Sequence, residues 1–233
     1  MKNIFFIILL IFIASIAHAQ RDDRPKNLPK YDNKVLHFGF TLGLNVMDFG
    51  IRHSNSFIEL DSIHMIENNR RLGFNISIVS SLRLGEYFDL RFLPGLSFGQ
   101  RDIDYTYYSS GHSYVKRMKI ESTFIDFPFV IKYKAKRIAN YRPYVIGGIN
   151  STIDLASQKE IKEEEKPKIR LNAFDVYYQF GFGIDYYLTY FKFSTEIKLG
   201  VGLLDIIRRD GTQYTRAIDR MTSNIVYISF HFE

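Results

Sequence analysis

From residue 36 onward the chain alternates large apolar residues with small or polar ones, segment after segment. Period two is the mark of an extended strand, whose successive side chains point to opposite faces. Leu36, Phe38, Phe40, Leu42, Leu44 and Val46 oppose His37, Gly39, Thr41, Gly43 and Asn45. Leu72, Phe74, Ile76 and Ile78 oppose Gly73, Asn75, Ser77 and Val79, and Phe88, Leu90, Phe92, Leu96 and Phe98 oppose Asp89, Arg91, Gly95, Ser97 and Gly99. A fourth segment sets Ile125, Phe127, Phe129, Ile131 and Tyr133 against Asp126, Pro128, Val130 and Lys132. The fifth, 142–155, is glycine-rich and its facing is ambiguous. The sixth runs from Phe174 to Tyr186, the seventh from Phe191 to Val201, and the last sets Val226, Ile228, Phe230 and Phe232 against Tyr227, Ser229 and His231. Several exceed the ~9–11 residues that a tilted strand needs to cross a bilayer.

Alternation also describes a soluble lipocalin-like barrel or a sandwich, so the two faces decide. A soluble sheet turns its apolar face inward and long charged side chains to water. Here the polar face is mostly Gly, Ser, Asn and Thr with isolated charges, which suits the crowded interior of a narrow barrel. The opposite face is large, aliphatic and aromatic, as lipid contact requires. Lipid offers no water to unpaired backbone groups, so the sheet must close.

Connection lengths agree. Long links at 47–70, 102–117, 156–172 and 205–222 alternate with short ones at 84–87, 134–141 and 188–190. Four long and three short connections give an even count of eight strands, with long loops outside and tight turns on the periplasmic side. The expected fold is therefore all-β: a transmembrane, antiparallel, up-and-down β-barrel of about eight strands.

The first residues have a separate purpose. Lys2, the apolar run Ile4 to Ile16 and Ala17-His18-Ala19 form the three parts of a secretory signal peptide. The run is too short for a spanning helix, which needs about 20 residues, and a retained helical anchor is the alternative. The expected organisation is a signal peptide at 1–19, a periplasmic segment at 20–35 and an outer-membrane barrel at 36–233. Export without any cysteine leaves the fold itself to hold the chain together. The net charge of +6 is dispersed and carries no recognition motif, so nucleic acid is not an expected partner.

The inward face carries both signs of charge: Asp126, Lys132, Asp175, Asp185, Lys192, Glu196 and Lys198. In a side-chain-filled interior such groups must be paired, and a structural salt-bridge network is the expected role; a narrow proton or ion path is the functional alternative. The histidines show no ligand spacing, so no metal site is expected. His53 beside Ser54, and Ser110 near His112, lack a third orienting group, and no catalytic residues are expected. Gly181 and Gly183 lie inside a strand and would relieve crowding rather than bind phosphate; no cofactor or small-molecule substrate is evident. The run 159–168, KEIKEEEKPK, suits a solvated loop tip. Tyr105, Tyr107, Tyr108, Tyr141, Tyr144, Tyr186, Tyr187 and Tyr190 are expected to form interfacial girdles.

Three segments resemble the PorT family of Bacteroidetes outer-membrane barrels: NLPKYDNKVLHFGFTLGLN at 27–45, FIDFPFVIKYKAKR at 124–137 and NIVYISFHFE at 224–233. The opening LPKYDNKxLHFGF is the most specific of them. The resemblance implies a component or assembly factor of the type IX secretion system, which exports proteins bearing a C-terminal signal and supports gliding in some relatives. It implies other secretion-system proteins as partners beside the outer-membrane lipid, and supplies no catalytic or ligand residue. A structural or adhesion barrel, and a barrel enzyme with a loop-borne site, are the alternatives.

Overall fold

A computed structural model describes residues 25–54, 63–109, 112–158, 169–209 and 213–233. The expected signal peptide and the charged run at 159–168 lie outside these. The strands are β1 (Leu36–His53), β2 (Ile63–Arg70), β3 (Leu72–Arg83), β4 (Phe88–Phe92), β5 (Gly95–Ser109), β6 (His112–Lys134), β7 (Tyr141–Asp154), β8 (Arg170–Leu171), β9 (Phe174–Tyr187), β10 (Lys192–Gly202), β11 (Ile207–Arg208) and β12 (Ile218–Phe232). β2 and β3 share one position in the wall, as do β4 and β5. With the short pair β8–β11 set aside, the wall has eight positions.

The wall closes because β1 pairs on both sides. Leu42 lies opposite Phe230 of β12 and opposite Ile76 of β3. Every pairing in the ring is antiparallel between neighbours, the up-and-down arrangement. The break between β4 and β5 falls at Leu93-Pro94, where proline has no N–H for the ladder. There the Ile78 N–H donates to the Pro94 carbonyl at 3.0 Å, and the Leu93 N–H to that of Pro128 at 3.2 Å. The ring therefore passes the break with its backbone bonded.

The lower part of the wall, where the short turns lie, faces as the alternation requires. Phe38, Leu42, Phe129, Ile149, Phe180 and Ile228 are exposed on the outside, while Thr41, Asn45, Asp126, Gln179, Ser194 and Ser229 are buried within. The ambiguous fifth segment resolves with Val145, Gly147 and Ile149 outward and Tyr144, Ile146 and Asn150 inward. Outward rings meet across strands: Phe40 with Phe232 at 4.9 Å, Phe74 with Phe98 at 4.8 Å, Phe92 with Phe129 at 4.4 Å. From Leu36 to Val46 the apolar band on β1 rises about 25 Å at ordinary strand tilt, matching the hydrocarbon-facing band of an outer-membrane barrel. Gly183 shows why the inner face needs small residues. A side chain there would start 2.5 Å from the Tyr144 phenol ring.

Above the band the register continues but the polarity of the two faces inverts. On β1, Met47 and Phe49 are buried inward while Asp48 and Arg52 face out; on β12, Met221 points in and Arg220 out. The same inversion carries β5 and β6 past the expected loop at 102–117. These two strands form an unbroken ladder up to Ser109 opposite His112. Ile103, Tyr105 and Met118 pack inward, and Asp102, Asp104 and Arg117 line the other face. Likewise β1 extends to His53 and β2 starts at Ile63, inside the expected loop at 47–70. These segments are strands because an apolar interior continues above the lipid, where water replaces hydrocarbon outside. The wall is uneven: β6 runs twelve residues above Phe124, where its pairing with β7 ends, whereas β10 stops at Gly202.

The tyrosine girdle is corrected in part. Tyr105, Tyr144 and Tyr187 are buried inside the barrel, because each falls on the inner face of its strand. Tyr141 and Tyr190 are exposed, and Tyr186 packs edge-on against Tyr141 at 5.5 Å.

Candidate functional site

The lumen is the part of the molecule where charge is concentrated, and the register places all seven predicted ionisable residues inside it, each buried. Among the seven, one ion pair forms. Lys132 on β6 donates to both carboxylate oxygens of Asp185 on β9, at 2.7 and 2.8 Å, and lies 3.6 Å above the Tyr144 ring. Ser194 adds a hydroxyl to Asp185 at 2.6 Å. The others find partners outside the set. Glu196 accepts from Arg91 at 3.3 Å and from the Tyr144 hydroxyl at 3.0 Å, with His231 Nε2 at 3.3 Å. Lys192 pairs with Glu233 at 2.8 Å, and Arg91 bridges Glu233 to Glu196, reaching the former at 3.0 Å. Asp126 is held by Ser97 at 2.5 Å and Asn150 at 2.9 Å. Asp175 accepts the backbone N–H groups of Val176 and Leu204, which ties it to a loop entry rather than to a cation. Lys198 lies 4.8 Å above the Tyr227 ring.

Four residues complete this interior without having been singled out in the sequence: Arg91, Arg101, His231 and Glu233. Arg91 and His231 were visible on the polar faces of their segments. Arg101 sat where a loop was expected to begin. Its guanidinium donates to Ser223 at 2.7 Å and Ser122 at 2.6 Å and rests 4.0 Å from the Phe49 ring, at the level where the polarity inverts. Between these groups a cavity of about 20 Å³ remains, lined in part by Asn75, Asp126, Gln179, Lys198 and His231. It has room for water and nothing larger.

Both ends of the lumen are closed, by different chemistry. At the upper end β8 and β11 pair over the mouth, Leu171 opposite Ile207. These two, with Ile169 and Ile206, pack against Phe49, Ile103, Tyr105, Met118, Ile218 and Met221. At the lower end the described N-terminal stretch from Pro25 crosses the opening as a strap. Asp32 takes the hydroxyl of Tyr187 at 2.8 Å, Arg142 at 3.1 Å and Arg137 at 3.2 Å. Burial pushes the Asp32 carboxyl up, but the Tyr187 hydrogen bond and the two guanidiniums outweigh it and hold the group below its usual range. Tyr31 donates to Glu233 at 3.3 Å and stacks on His37 at 4.1 Å. The Asn27 N–H donates to Asn140 at 2.8 Å, and Arg137 lies 3.6 Å above the Tyr187 ring.

The described residues hold no group of three or more His, Cys, Asp or Glu placed to bind a metal. Outer-membrane proteins are among the solved structures that the chain resembles. OprG from Pseudomonas aeruginosa is 12% identical with a TM-score of 0.47, covering 85% of this chain and 93% of that one. Neisserial surface protein A is 9% identical at 0.41, covering 85% and 99%. Ail of Yersinia pestis, solved with the heparin analogue sucrose octasulfate, is 8% identical at 0.40, covering 85% and 98%. No curated protein matches the sequence. The family model described as an outer membrane protein beta-barrel domain matches residues 18–208. The chain belongs to that family, as a barrel of the outer membrane of a Gram-negative bacterium.

Proposed function

We propose that this barrel is a non-enzymatic anchor and partner-binding component of a secretion system, the type IX system that the PorT resemblance implies. The observation that carries the reading is the lumen filled by ion pairs and closed at both ends. Such a barrel conducts poorly, so what it offers the cell is its surfaces and its hold on the membrane. In this reading the lumen network, including Asp126, Lys132, Asp175, Asp185, Lys192, Glu196 and Lys198, is structural, and the signal peptide at 1–19 is removed on export. The first half of the most specific stretch of the resemblance, LPKYDNK, falls on the strap and contributes Tyr31 and Asp32 to it. In this reading the residues of that stretch lie on the periplasmic surface, where other secretion-system proteins would dock.

Deleting the gene should leave cargo with C-terminal signals unprocessed in the envelope while the remaining outer membrane stays intact. Normal cargo in the medium of the deletion strain would remove this function. A second reading, an adhesion barrel, draws on the tall β5–β6 hairpin that projects beyond the lipid. It predicts normal secretion and lost surface attachment in the same strain.

A further inference from the structure

The low side of the wall, above β9 and β10, carries a feature that the lumen does not explain. In the β8–β11 pair, Arg170 lies directly opposite Arg208, and both are exposed. Their neighbours Leu171 and Ile207 are buried over the lumen, so the pair has an apolar underside and an arginine outer face. Like charges directly opposite on one sheet face destabilise the pairing. Neither guanidinium meets an acid among the described residues, whereas the adjacent Arg209 pairs with Asp205 at 2.9 Å. Arg170 is four residues from Phe174, which is half-exposed at the top of the apolar band on β9, so its Cα lies within about 14 Å of that residue. Leu155 and Leu204, exposed where β7 and β10 end, carry apolar surface up to the same level. The head-group layer of a bilayer extends roughly 5–7 Å beyond its hydrocarbon, within reach of an arginine side chain mounted there.

We propose that Arg170 and Arg208 together hold a phosphate group of an outer-leaflet glycolipid. Two arginines paired directly on one sheet face can bracket a tetrahedral oxyanion, and the bound anion converts a repulsive cross-strand pair into a bridged one. Bound lipid would then pin the β8–β11 cap that closes the lumen, coupling the surface of the membrane to the upper closure. A soluble anionic partner has no reason to favour the low wall over the tall one; a lipid phosphate does, because only the low wall ends beside the membrane surface.

The test uses the full chain refolded in detergent, with diphosphorylated lipid A and its dephosphorylated form as probes in mixed micelles. Wild type should bind the diphosphorylated lipid about tenfold more tightly than R170Q/R208Q, with the dephosphorylated lipid bound equally and weakly by both. R170K/R208K should retain part of the preference, since charge remains while the fork is lost. Heat-modifiable migration of each variant shows that its barrel is intact. Binding within twofold for wild type and R170Q/R208Q would overturn the proposal, as would an equal loss in R117Q, whose arginine lies high on the tall wall opposite Asp104. Competition by inorganic phosphate at equal concentration would assign the cradle to a free anion and overturn the lipid assignment.

Discussion

The lower and upper storeys of this wall are built from the same strands in the same register, with the polarity of the two faces exchanged. Below Val46 and Val226 the outside is apolar and the inside is polar; above them Met47, Phe49 and Met221 turn inward, and Asp48, Arg52 and Arg220 turn out. One strand register therefore serves two solvents. The lower storey is held by backbone closure, lipid contact and paired charges, and the upper storey by an apolar core of the soluble kind. The difference teaches that stability at any inward position depends on its height. Identical chemistry placed ten residues apart along β1 or β12 should have opposite consequences.

The largest effect is expected from the lower interior. Asp185 is the acid that Lys132 contacts, and both side chains are 1% exposed. Asp185→Ala should cost about 3–5 kcal/mol by leaving a buried cation without its partner. The double change Asp185→Ala with Lys132→Met should recover most of that loss, because an apolar replacement of the pair removes the uncompensated charge. Urea unfolding in lipid vesicles reads both. If the double variant is as unstable as the single one, the lower storey is not held together by charge pairing.

In the upper storey the comparable change is a cavity. Ile103 is fully buried against Tyr105 and Met118, so Ile103→Ala should cost about 2–4 kcal/mol. Its signature should be local. Loops above the membrane should become sensitive to protease while the heat-modifiable barrel persists, because the lower wall closes independently through β1, β3 and β12. Loss of the entire barrel would show instead that the storeys fold as one unit.

The outward face gives a paired test of the boundary itself. Leu42→Arg places a cation in the apolar band and should cost about 2–4 kcal/mol, whereas Thr222→Arg, outward but above Val226, should cost almost nothing. Equal costs at both positions would move the membrane boundary upward and dissolve the distinction between storeys.

Much of the lower storey was legible because lipid enforces one rule on every strand. Leu36 to Val46 and Phe174 to Tyr186 show unbroken alternation, and the inward charges followed from the register. The upper storey hid for the same reason. At 102–117 the alternation continues, but with polar Asp102, Asp104 and Arg117 on the face that lipid had made apolar, so the segment resembled a loop. Tyr105 and Tyr144 misled because tyrosine suits both an interface and a crowded lumen, and only the register separates the two. The segment at 20–35 was expected on the periplasmic side, but its contacts could not be read: Asp32 meets Arg137, Arg142 and Tyr187 across more than a hundred residues, and no local pattern encodes such a meeting.

The smallest expected effect compares two carboxylates outside the membrane, one at each end. Asp104 in the upper wall accepts Arg117 through both oxygens at 2.8 Å, and that hydrogen bonding holds its carboxyl below the ordinary value of 3.8. Asp32 in the strap is also lowered, against the opposing effect of burial. A carboxyl whose pKa falls on folding contributes fully above its unfolded value and loses that contribution as pH falls through the lowered one. Both contacts should therefore be intact at neutral pH and weaken only below about 3.8. Acid should nonetheless affect the two ends differently. Asn69 also holds Asp104 at 2.6 Å, and the β5–β6 ladder with its apolar core does not depend on the ion pair, so the upper wall should keep its form in acid. The strap rests on Asp32 and a few neighbouring contacts, so acid should expose the N-terminal segment to an acid-active protease before any other part of the barrel. Asp32→Asn should show that exposure already at neutral pH, with little further change on acidification. An upper hairpin that opened first would place the weaker closure at the wrong end.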